Sequence, residues 1–446
     1  MKLKSTIGFC IFVTILIFIA GCNVTKHLES KEFLLIKNKV KISDRHIPTE
    51  DLEPYIQQQP NNKLFGLFRT NIALYNWGGK GKDSKFKKWL RMKAGAVVVS
   101  LDTSLISVSL KQMNLYISNK GYFLSVLSDS IIYKKKKAIV LYRIKVSEPY
   151  KIRSMNYSIP DTQVAAFVYK DTSKCLIKKG KNFDSYLFDE ERTRVTNNLL
   201  NYSFFRFSSS YIKYIIDTNF KQHQFDVTLE IINQVVPSFD NFTTVLQVPH
   251  KRYFINNIYI YPEFDHLLPF TGTYDTLVKS YQSPVKDHPP NTYYFLFKDQ
   301  FRVKPRIIAQ SIFITPRSNY NLLDVNQSYS QLSSLRVFKY INIQFKDLPG
   351  MKGPLLHSKD FIDCHVELSR SPAQSFSVTT DGTNSAGAFG VQASLGYQNR
   401  NIFRGAQIFH INLSGSLQMQ ASDGTTDNAF FNTVELGINA GITFPQ

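Results

Sequence analysis

From residue 374 to the end, apolar and polar side chains alternate. Phe389, Val391, Ala393, Leu395 and Tyr397 interleave with Gly390, Gln392, Ser394, Gly396 and Gln398. The pattern returns in Phe409, Ile411, Leu413, Leu417 and Met419 against His410, Asn412, Ser414, Ser416 and Gln418. It returns again in Val434, Leu436, Ile438, Ala440, Ile442 and Phe444 against Thr433, Glu435, Asn439 and Thr443. A period of two predicts strands with one apolar and one polar face. These runs are about ten residues or longer, where a soluble strand is usually about five or six. Strands of about 9–11 residues are what a steeply tilted crossing of a bilayer requires.

The polar face separates two readings. It is Gly, Ser, Gln, Asn and Thr, with Glu435 the only formal charge in the three runs. A soluble sandwich shows water a face rich in Lys and Glu. Small uncharged polar side chains suit a barrel lumen and the apolar set suits lipid, so 374–446 reads as the start of an antiparallel transmembrane β-barrel. A large soluble β-domain is the alternative. Only about four strands fit before the end, and a closed membrane barrel needs at least about eight. The chain is therefore expected to be a fragment or a truncated gene product, unable to form a pore alone. The segment 397–406, between two of the strands, reads by itself as a polar turn with a glycine.

Upstream the pattern changes to three repeats of one α+β unit, each β-α-α-β-β in outline. The first spans 34–149. It opens on the strand-like run 34–42, then a helix at Thr49 with that residue as N-cap. A second helix covers about 104–119 and ends at Gly121, which can take the left-handed cap conformation. Strands 125–133 and 138–146 close it around Lys134, Lys135, Lys136 and Lys137, an exposed hairpin tip. Pro149, which cannot donate to a ladder, marks the boundary. The second unit spans 150–233, with a helix over 188–200, acidic at its start as the dipole favours, and strands 210–218 and 224–233. Residues 201–207 stand where 119–123 stand in the first. The third spans 252–370, with a strand at 252–261, a helix carrying Leu322, Val325, Tyr329, Leu332 and Leu335, and strands 337–343 and 362–369. Insertions at 63–96 and 263–301 interrupt the first and third units. The former includes Lys85, Phe86, Lys87, Lys88, Trp89 and Leu90, a basic segment read as core packing, with contact to lipid headgroups the alternative.

The N-terminus adds a destination. Met1–Lys4 is basic, residues 7–20 are apolar, and the run ends Ile19, Ala20, Gly21, Cys22. That run is too short for a comfortable transmembrane helix and suits a signal peptide over 1–21. Its end resembles the bacterial lipobox, in which the cysteine thiol is acylated, so Cys22 is the expected lipid anchor and 22–33 a linker. Removing Cys10 and Cys22 from the four cysteines leaves Cys175 and Cys364, enough for one bridge but not for a disulfide framework. The formal charge of +20 points, in an exported chain, to anionic membrane surfaces rather than nucleic acid.

No catalytic constellation emerges. The nine histidines show no His-Glu-x-x-His spacing, and no Cys-x-x-Cys pair, Gly-x-Ser-x-Gly elbow or phosphate loop is present. Cys364 and His365 adjoin on a strand, where neighbours face opposite ways. A non-enzyme without metal or cofactor is expected.

Asp381–Gly387 together with Asn399, Arg400, Asn401, Ile402, Phe403, Arg404, Gly405 and Ala406 resemble the first barrel hairpins of the Omp85 family, and the repeated units resemble its POTRA domains. Gly121, Tyr122 and Phe123 stand at the POTRA turn. Among subfamilies the chain is most similar to the TamL lipoprotein type, a TamA and BamA relative of Bacteroidetes-type bacteria. Family members often carry Glu where Gln407 stands here. The resemblance implies an outer-membrane location with the POTRA units periplasmic, and insertion of outer-membrane proteins as the function. It implies outer-membrane lipid and unfolded outer-membrane protein clients as partners, bound by strand addition at sheet edges, and allows a TamB-like inner-membrane partner. Two-partner-type export and a lipid-anchored periplasmic scaffold stay open.

Overall fold

A computed structural model of the chain describes residues 28, 32–44, 46–62, 71–72, 75, 84–89, 92–93, 95–219, 223–237, 245–265, 274–282, 289–298, 300–348, 360–385, 388–418 and 433–445. Cys22, the signal segment and most of the first insertion lie outside these residues. In chain order the elements are β1 (Leu34–Ile42), α1 (Lys85–Trp89), α2 (Thr103–Asn119), β2 (Val126–Lys134), β3 (Lys137–Lys145), β4 (Lys151–Ser158), α3 (Thr162–Lys170), α4 (Ser185–Asn201), β5 (Ile212–Asn219), β6 (Gln224–Ile231), β7 (Gln234–Pro237), β8 (Val245–Val248), β9 (Tyr253–Tyr261), β10 (Asp275–Tyr281), β11 (Asn291–Phe297), α5 (Pro305–Gln310), α6 (Leu322–Ser334), β12 (Phe338–Asp347), β13 (Asp360–Arg370), β14 (Gln374–Ser385), β15 (Ala388–Asn399), β16 (Ile408–Gln418) and β17 (Thr433–Thr443). The expected class, tandem α+β units followed by long antiparallel strands, is what the chain adopts.

By packing, the chain forms two compact units. One holds residues up to 157 with 175–191 and 214–229; the other holds 158–174, 192–213 and 230–446. The segment 150–233 is thus divided between them.

In the first unit, β1 runs parallel to β3 and β2 antiparallel to it, in the order β1-β3-β2. Leu35, Val140, Tyr142 and Ile144 meet Ile106, Met113 and Ile117 of α2 in one core. Asp102 caps α2, its carboxylate accepting from the Ser104 N–H at 2.9 Å. The expected helix capped by Thr49 is not α-helical. It is two 3-10 turns, Thr49–Asp51 and Glu53–Tyr55, preceded by Pro48. Pro54 is the reason: it has no N–H for the α ladder, and its ring would clash with the carbonyl of Glu50. A second core joins Tyr150, Ile152, Cys175, Ile177, Phe188, Phe225 and Val227. In the sheet β4-β6-β5, β6 lies between its neighbours. α4 begins at Ser185, three residues before the expected 188.

In the second unit, β9 and β13 are parallel neighbours at the centre of a sheet ordered β10-β11-β9-β13-β12. A bulge at Asn256 and Asn257 is filled by Asp363, whose Oδ1 accepts from the Asn257 N–H at 3.0 Å and the Asn256 amide at 2.9 Å. The second insertion is therefore structural. Its hairpin β10–β11 extends the sheet past β9, and Tyr293 and Phe295 enter the same core as Ile258, Ile260, Leu332 and Val366. α3, with Val164, Ala165 and Val168 buried, supplies a helix that the outline implied without locating.

The last strands form a separate antiparallel sheet, β14-β15-β16-β17. The strands are 12, 12, 11 and 11 residues long.

Replacing Phe295 by Ala is expected to destabilise the second unit by about 3–5 kcal/mol, against about 0.5 kcal/mol or less for Val278→Ala on the exposed β10. Hydrogen exchange in β9 and β13 reads the difference; equal protection in the two variants would make the insertion a decoration.

Candidate functional site

Two junctions share one wiring, and a third varies it by one residue. After α2, Gly121 takes φ 92°. The Tyr122 N–H returns to the Ile117 carbonyl at 3.2 Å, and the Gly121 carbonyl accepts from the Tyr150 N–H at 2.9 Å. A Cβ on Gly121 would lie 2.8 Å from the Phe183 carbonyl oxygen. The backbone angle favours glycine, and the close approach leaves no room for a Cβ. Tyr122 is buried in the core. Phe123 packs its ring on Tyr150 at 5.3 Å and on Phe183 at 5.2 Å. After α4, Ser203 (φ 77°) repeats the arrangement. The Phe204 N–H reaches the Leu199 carbonyl at 3.2 Å, and the Tyr253 N–H reaches the Ser203 carbonyl at 2.7 Å. After α6, Arg336 (φ 55°) precedes Val337, whose carbonyl accepts from the Ser371 N–H at 2.9 Å. Each α+β unit thus hands the chain on through one hydrogen bond from its helix end.

The turn between β15 and β16 is no loose loop. The Asn401 amide donates to the Arg302 carbonyl at 2.7 Å, the Arg404 guanidinium to the Phe301 carbonyl, and the Lys304 N–H to the Arg404 carbonyl at 2.8 Å. Inside the turn the Asn401 Oδ1 accepts from the Ala406 N–H at 2.9 Å. The Gln407 Oε1 accepts from the Gly405 N–H at 3.1 Å. A Cβ on Gly405 would meet the Gln407 side chain at 2.6 Å, so glycine lets it close. Ala406 joins the core of the second unit. Arg400 ties the other side, its N–H to the Ala373 carbonyl at 2.8 Å and its guanidinium to the Pro372 carbonyl at 3.2 Å. Asn399 accepts from the Asn401 N–H at 3.2 Å, and Phe403 stays exposed. The left-handed angles of Arg404 (62°) and Ala406 (60°) left no mark in the sequence, because neither residue type favours them.

Sheet edges and faces complete the candidate surfaces. β2 and β5 are edge strands, with Ile132 and Ile215 exposed on them. In the last sheet the register aligns like with like. Leu395, Leu413 and Ile438 form one cross-strand row, and Val391, Leu417 and Val434 another. Opposite them run Gln392, Ser416 and Glu435, and Gly396, Asn412 and Asn439. Leu436 is 84% exposed and Phe376 78%.

Among the described residues no reactive centre forms. Cys364 is in the core, where burial pushes its thiol far above the ordinary range. His365 faces the other way, its Nδ1 at 3.1 Å from the Tyr261 hydroxyl, and burial followed by Lys346 lowers its pKa. Cys175 and Cys364 are free buried thiols. Among the described residues no metal-binding cluster is present, and no helix is long and apolar enough to cross a membrane. Trp89 is 54% exposed at the end of the short α1.

No protein-family model and no curated protein matches the chain. Among solved structures it is similar to POTRA domains 3–5 of Haemophilus influenzae BamA, at 11% identity over 77% of this chain and 99% of that one, TM-score 0.35. It is also similar to Haemophilus ducreyi BamA lacking POTRA domains 1–3, at 9% identity over 60% and 43%, TM-score 0.33. A third is CdiB from Acinetobacter baumannii, at 12% identity over 61% and 39%, TM-score 0.26. The chain spans less than half of the last two structures.

Gly121→Val is expected to cost more than about 2 kcal/mol, since a β-branched residue in the left-handed region adds a clash to the backbone strain. Gly180→Ala, with φ 82° and open space around it, is expected to cost only the backbone part, about 1–2 kcal/mol. Denaturant midpoints compare them; equal costs would remove the close contact with Phe183 from the account.

Proposed function

We propose that this chain belongs to an outer-membrane protein assembly factor of the Omp85 type, close to the TamL lipoproteins. The observation that supports it is the last sheet: four long strands with one exposed apolar face and one face of small uncharged polar residues. A bilayer is the solvent such a face suits. In this reading Cys22 carries lipid, 22–33 is a linker, and 34–149, 150–233 and 252–370 are periplasmic POTRA units. Residues 374–446 begin the barrel, and Asn399–Gly405 pin its second turn.

Unfolded β-rich clients add as strands to the edges of β2 and β5. Main-chain hydrogen bonds supply affinity whatever the client sequence, which suits a broad clientele. The barrel would then template their insertion. The reading needs no catalytic group, metal or cofactor.

Photo-crosslinkers at Ser130 of β2 and Lys213 of β5 are expected to trap extended outer-membrane precursors in cells, and proline at the same positions to abolish trapping. A Cys22→Ser variant is expected to lose palmitate labelling and accumulate unprocessed. Trapping of folded partners alone would end the assembly reading, and equal labelling of both proteins would end the lipid anchor. Clients recovered beyond the membrane rather than in it would transfer the chain to export.

A further inference from the structure

We infer that the open face of the β1-β3-β2 sheet docks on the headgroups of an anionic lipid bilayer. Strand alternation puts Val40, Ile42, Val140, Tyr142 and Ile144 into or against the core. The other face therefore collects Lys37, Lys39 and Lys41 from β1 and Lys137, Arg143 and Lys145 from β3, all six exposed. The register sets Lys41 beside Arg143 and Lys39 beside Leu141. Neighbours on such a surface stand about 7 Å apart along a strand and about 5 Å across.

β2 adds Ser128, Ser130 and Ile132 to this face, so no carboxylate interrupts it. Among the described residues none of the six cations makes an ion pair. Like charges gathered on one exposed face without counter-charge repel one another and attract an anionic partner.

The shape and chemistry of the face select the partner. Beyond Leu34, which packs with Leu28, Ile72 and Val98, the six exposed cations of β1 and β3 share one sheet surface, which fits a bilayer. Nucleic-acid surfaces add rings for bases to stack on, and no aromatic side chain lies among these positions. Five of the six cations are Lys, point charges suited to diffuse headgroup charge rather than paired recognition. An acidic peptide added as a strand would use the β2 edge, not the face. If Cys22 bears lipid, as the assembly reading holds, twelve residues to Leu34 allow a reach of about 40 Å. That tether keeps the face near a membrane.

The test uses the full chain in vesicles, with an environment-sensitive dye on Ser128→Cys in a Cys10→Ser, Cys22→Ser background; Cys175 and Cys364 are buried. Quenching by a nitroxide-headgroup lipid is measured per vesicle-bound chain. It is expected in phosphatidylcholine vesicles containing phosphatidylglycerol, absent in phosphatidylcholine alone, and suppressed by salt. The triple variant Lys39→Gln, Lys41→Gln and Arg143→Gln is expected to lose about five-fold in surface affinity per cation, about 100-fold together. Lys39→Arg with Lys41→Arg keeps the charge and should keep quenching. Arg143→Gln alone supplies the five-fold step should the triple variant fold poorly. Equal quenching in neutral and anionic vesicles, or full quenching in the neutralised variants, overturns the inference. So would a dye response to added single-stranded DNA that anionic vesicles do not give. Client crosslinking at β2 and β5 is read separately, so failure here leaves the assembly reading standing.

Discussion

The last sheet exposes one apolar face, and the solvent that face requires is the constraint on which the rest depends. Phe376, Val378, Leu436 and Ile438 are each more than 70% exposed. A side chain of this kind gains about 1.5–3 kcal/mol on leaving water. For around ten of them the gain is on the order of 20 kcal/mol, a large term beside the 5–15 kcal/mol that stabilises a typical domain. The opposite face cannot share that solvent, because Asn412, Asn439, Gln392 and Ser416 need hydrogen-bonding partners. In the proposed reading one sheet meets lipid on one side and a polar space on the other.

The remainder of the second unit fixes where that sheet begins. The Ser371–Val337 hydrogen bond ties the start of β14 to the end of α6, one residue beyond the place used at the two earlier junctions. Asn401 and Arg404 then hold the β15–β16 turn against the 301–304 segment. The long strands are thus tied to the α+β part at two places. The turn reaches back through main-chain carbonyls, acceptors that survive side-chain drift at Phe301 and Arg302.

What was legible follows from which forces are local. The alternation in 389–398, 409–418 and 434–444 made strand type and face legible, because a one-residue slip would exchange the two faces, while the register came from the structure. Gly121 announced its left-handed angle because glycine alone adopts it at no cost. Ser203 and Arg336 hold the same kind of angle with residues that do not advertise it. The helix expected at Thr49 failed on Pro54, a local signal outweighed in the reading by the cap. The insertion hairpin joined β9 through a parallel pairing, of which the sequence pattern carries no trace. The anchoring of the β15–β16 turn depends on carbonyls nearly 100 residues away, which residue spacing cannot display.

The central claim is that β17 stands with one face in lipid and the other in a polar lumen. Single cysteines from Val434 to Ile442, introduced into the chain in its native membrane, test it most directly. Aqueous maleimide labelling and quenching by lipid-borne nitroxide are read at each position. The account predicts strict alternation: quenching without labelling at Val434, Leu436, Ile438 and Ile442, and labelling without quenching at Glu435, Gly437, Asn439 and Gly441. Labelling of both sets alike would contradict it and make the sheet a soluble one.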